Sequence, residues 1–183
     1  MTYTVSGDGT LNVHTDVKVR EELYQLPRFG LEMILPEDCL RMQYFGYGPM
    51  EAYSDKHHAA KLGLYETDCD KNFEHYVRPQ ENGAHWGTRK AAVGTRAGYG
   101  LIFTGSDENA TFTFNASRFT PEDLTATRHD YELEPRKAVV VNVDYRQAGC
   151  GSASCGPMLK MSETFLEKEF TWTVNLKPGH FDR

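Results

Sequence analysis

Apolar and polar residues alternate with a period of two along much of the chain. From Leu11 to Arg20, the residues Leu11, Val13, Thr15, Val17 and Val19 fall on one side, and Asn12, His14, Asp16, Lys18 and Arg20 on the other. A strand turns successive side chains to opposite faces, so this pattern predicts a half-buried antiparallel strand. The spacing recurs in Leu31, Met33 and Leu35, in Tyr99, Leu101 and Phe103, and in Phe112, Phe114 and Ala116. It returns in Val139, Val141, Val143 and Tyr145, and again in Phe170, Trp172, Val174 and Leu176, which assigns Trp172 to the core. Turn-forming runs such as Ser6-Gly7-Asp8-Gly9 and Gly105-Ser106-Asp107-Glu108-Asn109 separate the strands. Many strands divided by loops predict an all-β fold, an antiparallel sandwich or barrel. One short helix is expected at Thr120-Pro121-Glu122-Asp123-Leu124, where an N-cap hydroxyl precedes proline and first-turn acids; its expected end is near His129. With no internal repeat, low-complexity tract or linker, residues 1–183 read as a single domain.

Composition narrows the function classes. A chain of 183 residues is long enough to bury a core, and 39% hydrophobic with 25% charged residues is ordinary for a soluble globular protein. The net charge of −6 argues against a nucleic-acid partner, which would want a basic face. No apolar run approaches the roughly 20 residues needed to span a bilayer, so no membrane partner is expected. The start, Met1-Thr2-Tyr3-Thr4-Val5-Ser6-Gly7, lacks the basic and apolar regions of a signal peptide, and a cytoplasmic location is expected. The four cysteines, Cys39, Cys69, Cys150 and Cys155, form no CxxC pair, so no zinc site is expected and Cys39 and Cys69 read as buried free thiols. His57 and His58 are neighbours whose side chains would diverge on a strand, which argues against a shared metal. No metal ligand set is assigned.

Candidate chemistry gathers in three loops rich in glycine and proline, the residues that turns require. The first, Gly46-Tyr47-Gly48-Pro49-Met50-Glu51-Ala52-Tyr53-Ser54-Asp55, carries two carboxylates four residues apart. These could act as an acid/base pair on a sugar, or they could accept hydrogen bonds from loop amides. The second, Arg78-Pro79-Gln80-Glu81-Asn82-Gly83-Ala84-His85-Trp86-Gly87-Thr88-Arg89, offers Glu81, Asn82, His85, Trp86 and Arg89 as possible sugar-binding residues. A flat indole face with forked polar groups suits a sugar ring and its hydroxyls; the competing reading is a core tryptophan beneath a loop tied by an Arg–Glu pair. The third, Gln147-Ala148-Gly149-Cys150-Gly151-Ser152-Ala153-Ser154-Cys155-Gly156-Pro157, has glycines that allow close approach to a ligand or another domain. Cys155 has no adjacent base in sequence and is not read as a nucleophile. His129 is read as a packing or capping residue in preference to a ligand or acid/base group.

Together the three loops, with the segment from Asn115 to Leu124, resemble the C-terminal "small chain" region of the glycoside hydrolase family 2 β-galactosidases. The matching stretches are Gly46 to Asp55, the Pro79…Glu81-Asn82-Gly83…Gly87-Thr88-Arg89 pattern and the loop after the Val139–Tyr145 strand. The resemblance runs from about Tyr3 to Leu176 and identifies the chain as the C-terminal part of that domain. It implies a large sandwich (a supersandwich) like that of galactose mutarotases, with no catalytic residue in this chain. Hydrolysis of terminal β-D-galactosides such as lactose, with magnesium and sodium, would lie in a TIM-barrel domain or large subunit that is the implied partner. The first motif would be architectural, and the third loop, with Ser154, Cys155 and Gly156, would reach the mouth of the barrel's active site. The chain departs from the best-known branch there, since Ser154-Cys155-Gly156-Pro157 stands where a Ser-Trp is expected. That loop is expected to be exposed and poorly ordered, with Cys155 accessible. The role implied is completion of a galactoside site and support of a homo-oligomer; a stand-alone carbohydrate-binding module using Trp86 and a mutarotase-like aldose epimerase are the alternatives.

Overall fold

The computed structural model describes residues 1–151 and 156–181. Its strands in chain order are β1 (Thr2–Val5), β2 (Leu11–Lys18), β3 (Arg28–Pro36), β4 (Arg41–Gly48), β5 (Lys61–Asp68) and β6 (His85–Thr88). They continue with β7 (Lys90–Gly94), β8 (Tyr99–Gly105), β9 (Phe112–Ser117), β10 (Ala138–Gln147) and β11 (Glu169–His180). A seven-stranded sheet runs β1-β2-β11-β8-β7-β4-β5, and a four-stranded sheet runs β3-β10-β9-β6. Every paired strand is antiparallel, and the two sheets form a β-sandwich as the alternation predicts.

The register follows from which residues must be buried together. Val13 stands opposite Val174 and Thr15 opposite Trp172 across β2 and β11, and a one-residue slip would turn this set to solvent. Between the sheets lie Val13, Met42, Tyr44, Val93, Phe103, Phe114, Val139, Val141, Val143, Trp172 and Val174, with Cys39 and Cys69 buried as free thiols. The helix α1 (Pro121–Ala126) forms where the sequence places it. Thr120 and Asp123 close a reciprocal capping box, and Leu124 is buried beneath. It ends at the Thr127 cap, earlier than expected, and His129 caps a separate 3₁₀ turn at Asp130–Glu132.

Two departures matter for function. The glycines of the first motif lie partly in a strand: Met42, Tyr44, Gly46 and Gly48 occupy the buried positions of β4, and the turn begins only at Pro49. In addition, β9 and β10 are buried on both faces, since Phe112–Ala116 and the stretch 139–144 are buried throughout. The half-buried expectation fails there because loops roof the outer face of the four-stranded sheet. Asn115 Nδ2 donates to the Asn82 carbonyl at 2.8 Å, and Phe73 meets Phe119 at 4.7 Å between ring centroids. Buried polar groups under such a roof must find partners, and most do.

Candidate functional site

The first motif holds the other two. Its Glu51 carboxylate accepts from the Gly83 N–H at 2.8 Å, from the Tyr76 hydroxyl at 2.5 Å and from Lys56. Burial alone would raise the Glu51 carboxyl, but these donors outweigh it and hold the group below its ordinary range. Asp55 accepts from the Cys150 N–H at 3.0 Å and the Gly151 N–H at 2.7 Å. Both carboxylates are therefore engaged by main-chain donors of the neighbouring loops, the architectural reading of the first motif. Main-chain bonds reinforce the junction: Ala52 N–H donates to the Ala84 carbonyl at 2.7 Å, and Trp86 N–H to the Ala52 carbonyl at 2.9 Å.

Beneath these loops runs a buried charged network. Arg28 pairs with Asp144 at 2.5 Å and with Glu81 at 3.3 Å, and the buried Tyr53 hydroxyl reaches Glu81 at 3.5 Å. Burial pushes the Asp144 carboxyl up to about 6 against the pull of Arg28. The second motif is thus tied by an Arg–Glu pair, but the arginine is Arg28 and not Arg89, whose side chain stands exposed in the turn between β6 and β7.

The five residues singled out in the second motif do not line one surface. His85 is fully buried, stacked on the Tyr44 ring at 3.8 Å, with Nε2 at 2.8 Å from Asn72 Oδ1. Burial pushes its imidazole down to about 4. Asn82 is also buried, accepting from the Glu74 N–H and donating to the Gln80 carbonyl. Both brace the loop from within, because their polar atoms serve protein partners. Glu81 is half-buried on Arg28. Trp86 is half-buried with its ring stacked on His57 at 4.5 Å and tilted against Tyr47 at 5.4 Å. His57 and His58 stack at 4.8 Å instead of diverging, because they lie in a turn and not on a strand. Among the described residues no group of three His, Cys, Asp or Glu side chains is placed to hold a metal ion.

Two clefts open where the motifs meet. One, of about 610 Å³, lies between Asp55, which ends the first motif, with Lys56, His57 and His58 just after it, and Pro157, Met158 and Leu159 at the end of the third loop and just beyond. The other, of about 370 Å³, is lined by Ser54, Trp86, Tyr145, Arg146, Gln147 and Glu163. Ser54 Oγ and Gln147 Oε1 are buried and have no hydrogen-bond partner among the described residues. An indole face beside polar and charged side chains such as Arg146 and Glu163 can receive a polyhydroxylated ligand. Of the third loop, Gly156 is exposed, while Ser154 and Cys155, with the expected accessibility of Cys155, lie outside the described residues. Sequence reasoning passed over Arg28, Asp144, Lys56 and Tyr76. Arg28 meets partners 53 and 116 residues away, and no local spacing announces such a pair.

Comparison with known proteins places the sequence in a family. The family model described as "Beta galactosidase small chain" matches residues 1–176. The chain is 40% identical over 168 residues to a β-galactosidase of Actinobacillus pleuropneumoniae, covering 92% of this chain and 16% of that protein. It is 36% identical over 177 residues to one of Staphylococcus xylosus, covering 97% of this chain and 17% of that protein. A β-galactosidase of Streptococcus thermophilus is 38% identical over 151 residues, covering 82% of this chain and 14% of that protein. The chain spans about a sixth of the length of these curated relatives. By its motifs, its sandwich and these matches, the chain belongs to the β-galactosidase small-chain family.

Proposed function

We propose that the chain is the noncatalytic C-terminal sandwich domain of a retaining, glycoside hydrolase family 2 β-galactosidase that cleaves terminal β-D-galactosides such as lactose. It completes the sugar site of a catalytic barrel, which carries the hydrolytic carboxylates and the magnesium and sodium, and it supports a cytoplasmic homo-oligomer. The observation that carries this reading is the convergence of the three motifs. Glu51 and Asp55 draw the second and third loops onto one junction beside two open clefts. Such an arrangement presents a shaped surface, whereas hydrolysis needs two carboxyl groups held about 5–10 Å apart across the substrate. The test is turnover of an aryl β-galactoside by the purified chain alone. None above background is expected; turnover abolished by changing a single Glu of this chain would overturn the reading.

One observation favours a second reading. Trp86 shares its cleft with Arg146, Glu163 and Glu167, an indole face beside charged groups that suits a sugar bound by this chain on its own. Calorimetric titration of the chain with galactose and lactose separates the two. Millimolar or tighter binding by the isolated chain, lost in Trp86→Ala, belongs to an independent binding module.

A further inference from the structure

Asp55 sits in a turn whose own backbone is fixed. Tyr53 and Lys56 exchange two main-chain hydrogen bonds of 3.0 Å, and the His57 ring meets the Tyr53 carbonyl at 3.1 Å. From this base the carboxylate presents one oxygen to each of two successive N–H groups, Cys150 through Oδ1 and Gly151 through Oδ2. Consecutive N–H groups that converge on one anion form a concave nest, and bonds to an ionised carboxylate are the stronger kind. The chain geometry is fitted to this contact. Gly151 has φ +68°, in the left-handed region that favours glycine. A Cβ on Gly149 would lie 2.6 Å from Asp55 Cγ and 2.7 Å from Leu159 Cδ1, so the loop packs on the carboxylate with no room for a methyl group. Upstream, the Ala148 N–H donates to the Pro27 carbonyl and the Gly149 N–H to the Glu163 carbonyl, each at 2.9 Å. Four successive N–H groups are thus tethered, and Asp55 supplies the last two tethers before the segment carrying Ser154 and Cys155.

We propose that Asp55 is a positioning residue for galactoside binding. It acts through the main chain of Cys150 and Gly151 to set where the third loop departs from the sandwich. This rests on the reading that the third loop belongs to the sugar site. The carboxylate is required and an amide does not suffice: asparagine at this place has one acceptor oxygen for two donors, and its own N–H groups would face a main-chain N–H. Loss of a charge-assisted pair of this kind raises local opening by about ten- to a hundredfold.

The test uses the whole β-galactosidase with Asp55→Asn, with Gly149→Ala, which pushes the loop off the carboxylate, and with residues 152–156 replaced by a Gly-Ser linker. The readouts are hydrogen exchange of the peptide holding Cys150 and Gly151, and KM and kcat for an aryl β-galactoside. Faster exchange in Asp55→Asn, with KM raised about three- to tenfold and kcat changed less, is expected. Unchanged exchange overturns the tether. Faster exchange with unaltered KM, while the linker variant does shift KM, makes Asp55 merely structural and leaves the domain's proposed role intact. If neither Asp55→Asn nor the linker moves KM, the third loop is not part of the sugar site, and the proposed role falls together with this one. Should Asp55→Asn fail to assemble, Gly149→Ala gives the same readouts.

Discussion

Replacing His85 by glutamine should cost the chain more stability at pH 7.5 than at pH 5. His85 is fully buried between the Tyr44 ring and Asn72, and burial lowers its imidazole from 6.5 to about 4. Between those two values the unfolded chain binds a proton that the folded chain refuses. Stability therefore rises with pH across this window, is fully present above about 6.5, and is lost as pH falls toward about 4. At pH 5 about 1.5 units of the shift have been traversed, which at 1.36 kcal/mol per unit is a loss of about 2 kcal/mol. Asp144 works in the opposite sense. Its folded value is raised from 3.8 to about 6, so its contribution is greatest below 3.8 and is lost as pH rises through about 6. The whole-chain profile mixes the two groups, and only the difference between parent and His85→Gln isolates the imidazole. Glutamine can keep a hydrogen bond to Asn72 but does not titrate. Urea unfolding of both proteins at the two pH values should show their stability difference shrinking by about 2 kcal/mol on acidification. A difference independent of pH would refute the burial argument and put the imidazole back within reach of solvent or a ligand.

Trp172→Ala should cost about 3–5 kcal/mol, since the indole is buried against Phe29 and Tyr145 at 6.4 and 6.5 Å; an unchanged urea midpoint would show that it does not hold the sheets together. The edge strand β5 exposes Leu62 and Leu64 beside Tyr47 and Phe45 of β4, so the purified chain should self-associate there, and Leu64→Lys should shift its sedimentation toward the monomer. A parent chain that sediments as a monomer at all concentrations would remove this edge as a contact.

The parts of the fold legible in sequence are those where one face meets the core and the other meets water. Strands β2 and β11 announce themselves because Val13, Thr15, Trp172 and Val174 alternate with polar residues, and α1 because its cap is written in four consecutive positions. Strand β4 hid behind Gly46, Gly48 and Pro49, which imitate a turn although two of the three occupy buried strand positions. In the site, residue type and a turn setting were enough to read Glu51 and Asp55 as acceptors of loop amides, but not to name their donors, which stand 32 to 96 residues away. The partners of Arg28 could not be read, since Asp144 lies on β10, which pairs with β3 only in the folded sheet, and Glu81 lies on a loop distant in sequence. His85 and Asn82 looked like ligand groups because residue type reports what a side chain can bond, and not whether protein atoms have already claimed it.

The roof over the four-stranded sheet changes how this surface can respond to anything that touches it. Lifting the segment that carries Asn82 would strip Asn115 of its acceptor, and moving Glu81 would take from the buried Arg28 guanidinium one of its two carboxylate partners. Opening the roof thus carries the penalty of opening the sheet beneath, and the two should melt as one cooperative unit instead of fraying loop by loop. The contour formed by the first two motifs is in effect a casting of the sheet below: it is set when the protein folds, and whatever docks there must match a shape that already exists.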